Sequence, residues 1–159
     1  IGQNYRTTSG THRGPSLVGK VIDTDEIGIL KGVNKMVSSG HTYVAMRDDG
    51  KAYVWGWNSS GEFGNGTTGV SAKPIELTLP EDAGSLVDIG ASWKNISVKM
   101  RNNIQTETGT KQMDIVYVAG LNENAQLGIG NKTNQVTFVP VQDETGTDIA
   151  KELDIMPRN

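Results

Sequence analysis

The sequence predicts an all-β fold built from repeated four-stranded units, and two observations carry this prediction. First, Trp55-Gly56-Trp57-Asn58 and residues 61–66 return as Ala119-Gly120-Leu121-Asn122 and residues 125–130, each 64 positions later. Second, short apolar runs are separated by turn-forming residues, including 20 glycines, which is typical of a β protein. Self-similarity at a period of roughly 50 residues indicates a repeat architecture.

The first repeat shows the strand and turn signals of an antiparallel sheet. Apolar and polar residues alternate in its second run, as they do in a half-buried strand. Asp49-Gly50 follows that run and predicts a hairpin turn, because this pair tolerates positive φ. Pro74 is expected at the first position of an outer strand, where a missing N–H donor is tolerated. The four expected strands cover residues 35–37, 42–46, 51–55 and 74–79.

The second repeat follows the same order with one insertion. Its expected strands cover residues 87–89, 95–100, 114–118 and 136–141. The polar segment 101–112 stands where the first repeat has its short turn. Insertions between repeats usually form loops, so we predict a long hairpin loop here.

These units divide the chain into four parts. Residues 1–32 are expected to hold the tail of a preceding unit and a connector, and residues 149–159 the first strand of a following one. The two repeats occupy residues 33–84 and 85–148, the second with its insertion at 101–112. Since such units need neighbours to bury both faces, the chain is interpreted as a piece of a longer protein.

The repeated motifs resemble the RCC1 (regulator of chromosome condensation) repeat family, whose repeats are blades of a seven-bladed β-propeller. The first repeat carries the family pattern at His41-Thr42, Asp49-Gly50, Trp55-Gly56-Trp57-Asn58 and residues 61–66. The second repeat keeps the glycines and the asparagine but has Trp93-Lys94 in place of the His-Thr pair. The resemblance implies a partial β-propeller, with about two complete blades and part of a blade at each end.

The motif residues themselves are interpreted as structural. Trp55 is expected to fill the wedge between adjacent blades, where a large flat ring buries much area. Asparagines of the motif can bond their own turn, and its glycines allow φ values that other residues avoid. The set comprises His41, Trp55, Gly56, Asn58, Gly64, Gly66, Gly120, Asn122, Gly128 and Gly130.

Composition argues against several classes of function. A net charge of −3 without a basic run disfavours nucleic-acid binding. The absence of Cys removes thiol chemistry, and two His without clustered carboxylates predict no metal site. The acidic turn at residues 23–26 lacks the spacing of a calcium loop. Residues 61–66 reverse the dinucleotide-binding spacing, and no nucleophile elbow is present. We expect no enzyme, no cofactor and no membrane span.

Two groups of residues are candidates for partner contact. Trp57, Trp93 and Lys94 fall near strand ends, where exposed aromatic residues are typical anchors of binding sites. The alternative is that both tryptophans pack between blades. The second group lies in the insertion, because loops on a rigid scaffold often carry function; the alternative there is a disordered hairpin tip. Its members are Arg101, Asn102, Asn103, Thr106 and Lys111.

The favoured function is a non-enzymatic recognition module of a larger bacterial surface or phage virion protein. It would bind a protein or a surface glycan through loops on the propeller faces, outside the cell rather than in the cytoplasm. The Cys-free, Asn- and Thr-rich repeats favour this origin. Two alternatives remain. One is a guanine-nucleotide exchange regulator of a small GTPase. The other is a structural blade fragment that completes a ring with copies of itself, as a homo-oligomer, or with further blades of a larger chain.

Overall fold

The computed structural model describes residues 30–141, which form two four-stranded antiparallel sheets and contain no helix. In each sheet the strands pair in chain order, as predicted for a propeller blade. Blade 1 comprises β1 (Val33–Ser38), β2 (Thr42–Arg47), β3 (Ala52–Gly56) and β4 (Ser71–Glu76). Blade 2 comprises β5 (Ser85–Ser92), β6 (Asn95–Thr106), β7 (Gly109–Gly120) and β8 (Gln135–Pro140). The predicted strand in 149–159, the acidic turn at 23–26 and most of the predicted N-terminal tail lie outside the described residues.

The two blades bury their facing sides against each other. Val44 and Val54 of blade 1 share one apolar cluster with Ile96, Val98 and Met100 of blade 2. All five side chains are at most 1% exposed. Burying an aliphatic side chain of this size stabilises the fold by about 1.5–3 kcal/mol, so this interface is the main core of the described region.

Trp55 is buried, but it does not lie at the interface between the two blades. Its side chain is 2% exposed and belongs to a second cluster with Leu30, Ala45 and Tyr53, on the opposite face of blade 1. It stacks on Tyr43 at 5.9 Å between ring centroids. Alternation along β3 explains this placement, because Val54 points toward blade 2 and its neighbour must point away. Trp55 therefore does not lie between blades 1 and 2, and its role in a wedge with another adjacent blade stays a prediction.

The outer strand of blade 1 begins earlier than expected. β4 starts at Ser71, so Pro74 is its fourth residue and not its first. The pairing of β4 with β3 is irregular there, because Val54 pairs with Ile75 and Gly56 pairs with Ser71. A proline is tolerated at such an irregularity of an edge strand, since no ladder hydrogen bond requires its missing N–H.

The insertion in the second repeat forms strands. β6 and β7 stay paired through the segment, from Arg101 opposite Asp114 to Thr106 opposite Gly109, and only two residues form the turn. The base is fixed by a hydrogen bond from Asn102 Nδ2 to the Asp82 carbonyl at 2.9 Å. A continued ladder pairs backbone groups that a loop would leave to water. The predicted loop is therefore corrected to a β-ribbon, and the disordered alternative is not observed.

The ribbon carries an ion pair that makes a prediction about pH. Arg101 Nε and Nη2 donate to the two carboxylate oxygens of Asp114 at 2.8 and 3.0 Å. This hydrogen bonding to Arg101 lowers the pKa of Asp114 below its usual range. Because the folded-state pKa is lowered, the pair stabilises the fold above the unfolded pKa of about 4, and this contribution is lost as the pH falls through the lower folded value.

We therefore expect Arg101→Gln to raise the pKa of Asp114, as followed by the carboxyl ¹³C shift during an NMR titration. Asp88 is the internal control, because its pKa is lowered by a separate hydrogen bond from Lys35 on blade 1. Its titration should not move in the variant. An unchanged Asp114 titration would show that the pair does not form in solution.

The glycine loop of blade 1, residues 61–66, directly contacts blade 2. The Gly66 N–H donates to the Val136 carbonyl at 2.7 Å, which links this loop to the outer strand of the next blade. A Cβ added at Gly64 would lie 2.3 Å from the Phe138 ring. Gly64 and Gly66 both have positive φ, as expected from the motif. The glycines thus serve close approach between blades as well as chain turning.

Candidate binding groove at the junction of the blades

Backbone hydrogen bonds identify which turn residues of the two blades are equivalent. The Trp57 N–H donates to the His41 carbonyl at 3.0 Å, and the Leu121 N–H donates to the Lys94 carbonyl at 2.9 Å. Lys94 therefore occupies the position of His41, and Trp93 occupies that of Gly40. The sequence alignment that placed Trp93-Lys94 on the His-Thr pair was shifted by one residue. The reason is that three residues separate β1 from β2 but only two separate β5 from β6, and the positive φ falls at Gly40 in the first turn and at Lys94 in the second.

Trp57 of blade 1 and Trp93 of blade 2 line one groove. The Trp93 ring lies against the β1–β2 turn, where a Cβ added at Gly40 would be 3.0 Å from it. The Trp57 ring lies 5.2 Å from the His41 ring between centroids. We call this feature the rim groove; its lining residues are Ser39, His41, Thr42, Trp57, Glu62, Trp93 and Lys94. The sequence-predicted residues Trp57, Trp93 and Lys94 are thus brought together.

Both tryptophans keep a large part of their surface in solvent. Trp57 is 45% exposed and Trp93 is 61% exposed, so they do not pack away between the blades. The Trp57 backbone is fixed by the His41 carbonyl and by the Thr42 hydroxyl, which donates to its carbonyl at 2.5 Å. Lys94 Nζ lies 5.5 Å from the centre of the Trp93 ring. Rigid, half-exposed aromatic rings of this kind are good contact surfaces, since little side-chain entropy is lost on binding.

Two buried polar residues of the groove were not identified from sequence. Glu62 is 1% exposed and Ser39 is 4% exposed, and both line the rim groove. A signal for Glu62 was present, because a carboxylate stands where the second repeat has Gln126. Ser39 gave no signal, since a serine in a turn is unremarkable in sequence.

The predicted contact residues of the insertion lie elsewhere and do not form one surface. Trp93 precedes the start of β6, and the ribbon tip lies at its far end, roughly 35 Å away for an extended strand. In the ladder, Arg101 and Asn103 share one face, while Asn102 and Lys111 lie on the other. Asn102 is also engaged with Asp82. The ribbon residues, including the backbone position of Thr106, are therefore separate from the rim groove.

The motif asparagines hold the glycine loops in both blades. Asn58 Oδ1 accepts from the Phe63 N–H at 2.8 Å, and its Nδ2 donates to the Thr67 carbonyl at 2.8 Å. Asn122 repeats this arrangement, with the Leu127 N–H at 3.0 Å and the Asn131 carbonyl at 2.8 Å. In both blades a positive φ is also present at the remaining motif glycines, Gly56, Gly120, Gly128 and Gly130.

Metal and membrane features were also sought in the described part of the chain. Residues 30–141 contain no group of three His, Asp or Glu side chains placed to hold a metal ion. The same residues include no helix long and apolar enough to cross a bilayer.

Comparison with known proteins agrees with the repeat geometry. Family models described as the regulator of chromosome condensation (RCC1) repeat match residues 33–62 and 49–95. Residues 33–95 carry RCC1 repeats. A curated relative, the ultraviolet-B receptor UVR8 of Arabidopsis thaliana, is 32% identical over 96 residues, or 60% of this chain. The chain spans only 19% of that relative's length.

Solved structures show the same fold. The crystal structure of human WBSCR16 superposes with a TM-score of 0.57 at 14% identity, over 77% of this chain and 29% of that one. Prp20p of Saccharomyces cerevisiae, described together with its binding to Gsp1p and histones, matches with a TM-score of 0.39 at 15% identity, over 73% of this chain and 40% of its own. In the described region the two sheets thus have the fold predicted for propeller blades.

Proposed function

We propose that this chain is a non-enzymatic protein-recognition module, and that it binds its partner through the rim groove. RCC1-like repeats imply a protein-interaction module. One observation carries the proposal: Trp57 and Trp93 come from two different blades, line one groove, and are 45% and 61% exposed. Aromatic residues at a rigid junction are the kind of side chain that dominates binding energy at protein interfaces.

The wider setting is proposed on composition. The Cys-free sequence and its acidic balance, with a net charge of −3, favour a protein-binding role in a larger bacterial surface or phage virion protein. An acidic module of this kind binds by shape and by specific side chains, since its sequence has no run of Lys and Arg to contact phosphate backbones. The proposed location is therefore outside the cell or on a virion.

The proposal is tested by panning a random-peptide display library against the full chain. We expect the recovered peptides to bind a Trp57→Ser/Trp93→Ser double variant about tenfold more weakly or worse, because truncating an aromatic anchor costs about 2 kcal/mol. Binding is measured by calorimetry, and folding of each variant by circular dichroism.

The matched control is Val116→Thr, which removes exposed apolar surface on β7 outside the groove while keeping a β-branched side chain. Val116 is 37% exposed, and this variant should bind the same peptides unchanged. Peptides that bind the natural chain and the folded double variant equally well would place recognition elsewhere on the molecule.

A further inference from the structure

We propose that the rim groove binds the ammonium group of a lysine side chain presented by a partner protein, with Glu62 as its counter-charge. This inference rests on the proposed function for its location and defines the chemistry recognised there. Three features of the groove carry it: an unpaired buried carboxylate, a buried hydroxyl without a partner, and aromatic walls around a small space.

The first feature is the charge on Glu62. Its side chain is 1% exposed, yet its carboxylate accepts a single hydrogen bond, from the Ser60 N–H at 2.9 Å. Within residues 30–141 no cationic side chain forms an ion pair with it. A buried carboxylate is costly unless it is paired or extensively hydrogen-bonded. Glu62 therefore lacks the partner that its burial requires.

The second repeat shows that the turn itself does not need this charge. Gln126 stands at the equivalent position, and its Oε1 accepts from the Asn124 N–H at 2.9 Å. A neutral amide thus makes the same capping bond as Glu62 makes to Ser60. Because the cap explains the length of the side chain and not its charge, the charge points to a cationic ligand.

The second feature is the hydroxyl of Ser39, which lies in the same groove. Ser39 is 4% exposed, and its Oγ has no hydrogen-bond partner among residues 30–141. Buried polar atoms in folded proteins are almost always hydrogen-bonded, so a hydroxyl without a partner, on a residue that lines a groove, marks a place for a ligand donor. An ammonium group has three N–H donors and can serve both Glu62 and Ser39.

The third feature is the size and the aromatic lining of the space. Its volume is about 10 Å³, which holds roughly one water-sized group. A primary ammonium has this size, whereas a planar guanidinium is larger. Trp57 and Trp93 also line this space, and their rings attract a cation through their quadrupoles. Lys94 Nζ already lies 5.5 Å from the Trp93 ring centre, so it competes with an external lysine.

The test uses the full ¹⁵N-labelled chain and the probe acetyl-glycyl-lysyl-glycine amide. Its binding is followed through the indole N–H signals of Trp57 and Trp93, which are assigned with Trp→Phe variants of the three tryptophans. We expect a saturable shift with the lysine peptide. The neutral norleucine peptide of equal chain length should bind at least tenfold more weakly, and the arginine peptide should also bind more weakly.

Variants separate the ligand role of Glu62 from its structural role. Glu62→Gln should weaken the lysine peptide at least tenfold without lowering the thermal midpoint, because Gln126 shows that glutamine makes the cap and an unpaired buried charge is removed. Ser39→Ala should weaken binding severalfold. Lys94→Gln should strengthen it severalfold, because an internal competitor is removed.

Equal binding of the norleucine peptide, an unchanged affinity in Glu62→Gln, or no saturable shift at millimolar probe would each overturn the inference. If Glu62→Gln does not fold, the comparison of lysine and norleucine peptides on the natural chain decides alone. Panned peptides that require both tryptophans but contain no essential lysine would leave the proposed function standing and reject this ligand. If the lysine peptide binds through Glu62 but panning recovers no peptide, the lysine inference stands and the proposed protein-recognition function is rejected.

Discussion

Gly56→Ala is expected to destabilise the protein by about 3 kcal/mol or more, because strained φ and a backbone clash act together at this position. Gly56 has a φ of 102°, and an added Cβ would lie 2.1 Å from the His41 carbonyl oxygen. That same oxygen accepts from the Trp57 N–H at 3.0 Å, so relief of the clash must break the contact that holds the rim groove. Chemical denaturation followed by circular dichroism measures the loss.

Gly66→Ala is the matched control for this prediction. Gly66 also has positive φ, 83°, but an added Cβ meets no atom within 4 Å. Only the cost of a left-handed conformation remains, about 1 kcal/mol. If the two variants were equally stable, the close approach at Gly56 would not be a determinant of the fold.

The blade architecture could be predicted because its signals are local. Strand alternation and the Asp49-Gly50 hairpin each depend on a few adjacent residues, and the structure shows the turn as expected, with Gly50 at a φ of 82°. The 64-residue offset then implied a second blade. In these respects the residues specify the sheet without reference to distant partners.

The errors arose where long-range pairing decides the outcome. The equivalence of Lys94 with His41 follows from the N–H group that each residue's carbonyl accepts, from Leu121 and Trp57 respectively, and a one-residue shift is invisible in an alignment of turns. The side on which Trp55 is buried depends on which face of blade 1 a neighbour covers. The insertion was predicted to be a loop because its residues are polar, whereas the structure shows a paired ladder that ends at Thr106 and Gly109.

The groove itself was only half predictable from sequence. The position of Trp57 and Trp93 near predicted strand ends indicated a contact surface, and in the structure both residues line one groove. Glu62 belonged to the glycine-loop motif, and its burial to 1% exposure results from packing of two blades. A charge becomes informative only when its solvation is known, which sequence does not provide.

Asn58→Ala is expected to cost about 2–4 kcal/mol, because it leaves a buried N–H donor without a partner, breaks a second hydrogen bond to a carbonyl and empties a fully buried site. Asn58 is fully buried, and it satisfies the Phe63 N–H and the Thr67 carbonyl, each at 2.8 Å. Asn65→Ala is the control in the same loop. Asn65 also bonds Thr67, with its Oδ1 2.6 Å from the hydroxyl, but it is only half-buried. Water can replace its side chain, so its loss should cost about 1 kcal/mol or less. Thermal and denaturant unfolding of both variants compares them directly; equal losses would mean that burial of the motif asparagine is not what fixes the glycine loop against blade 2.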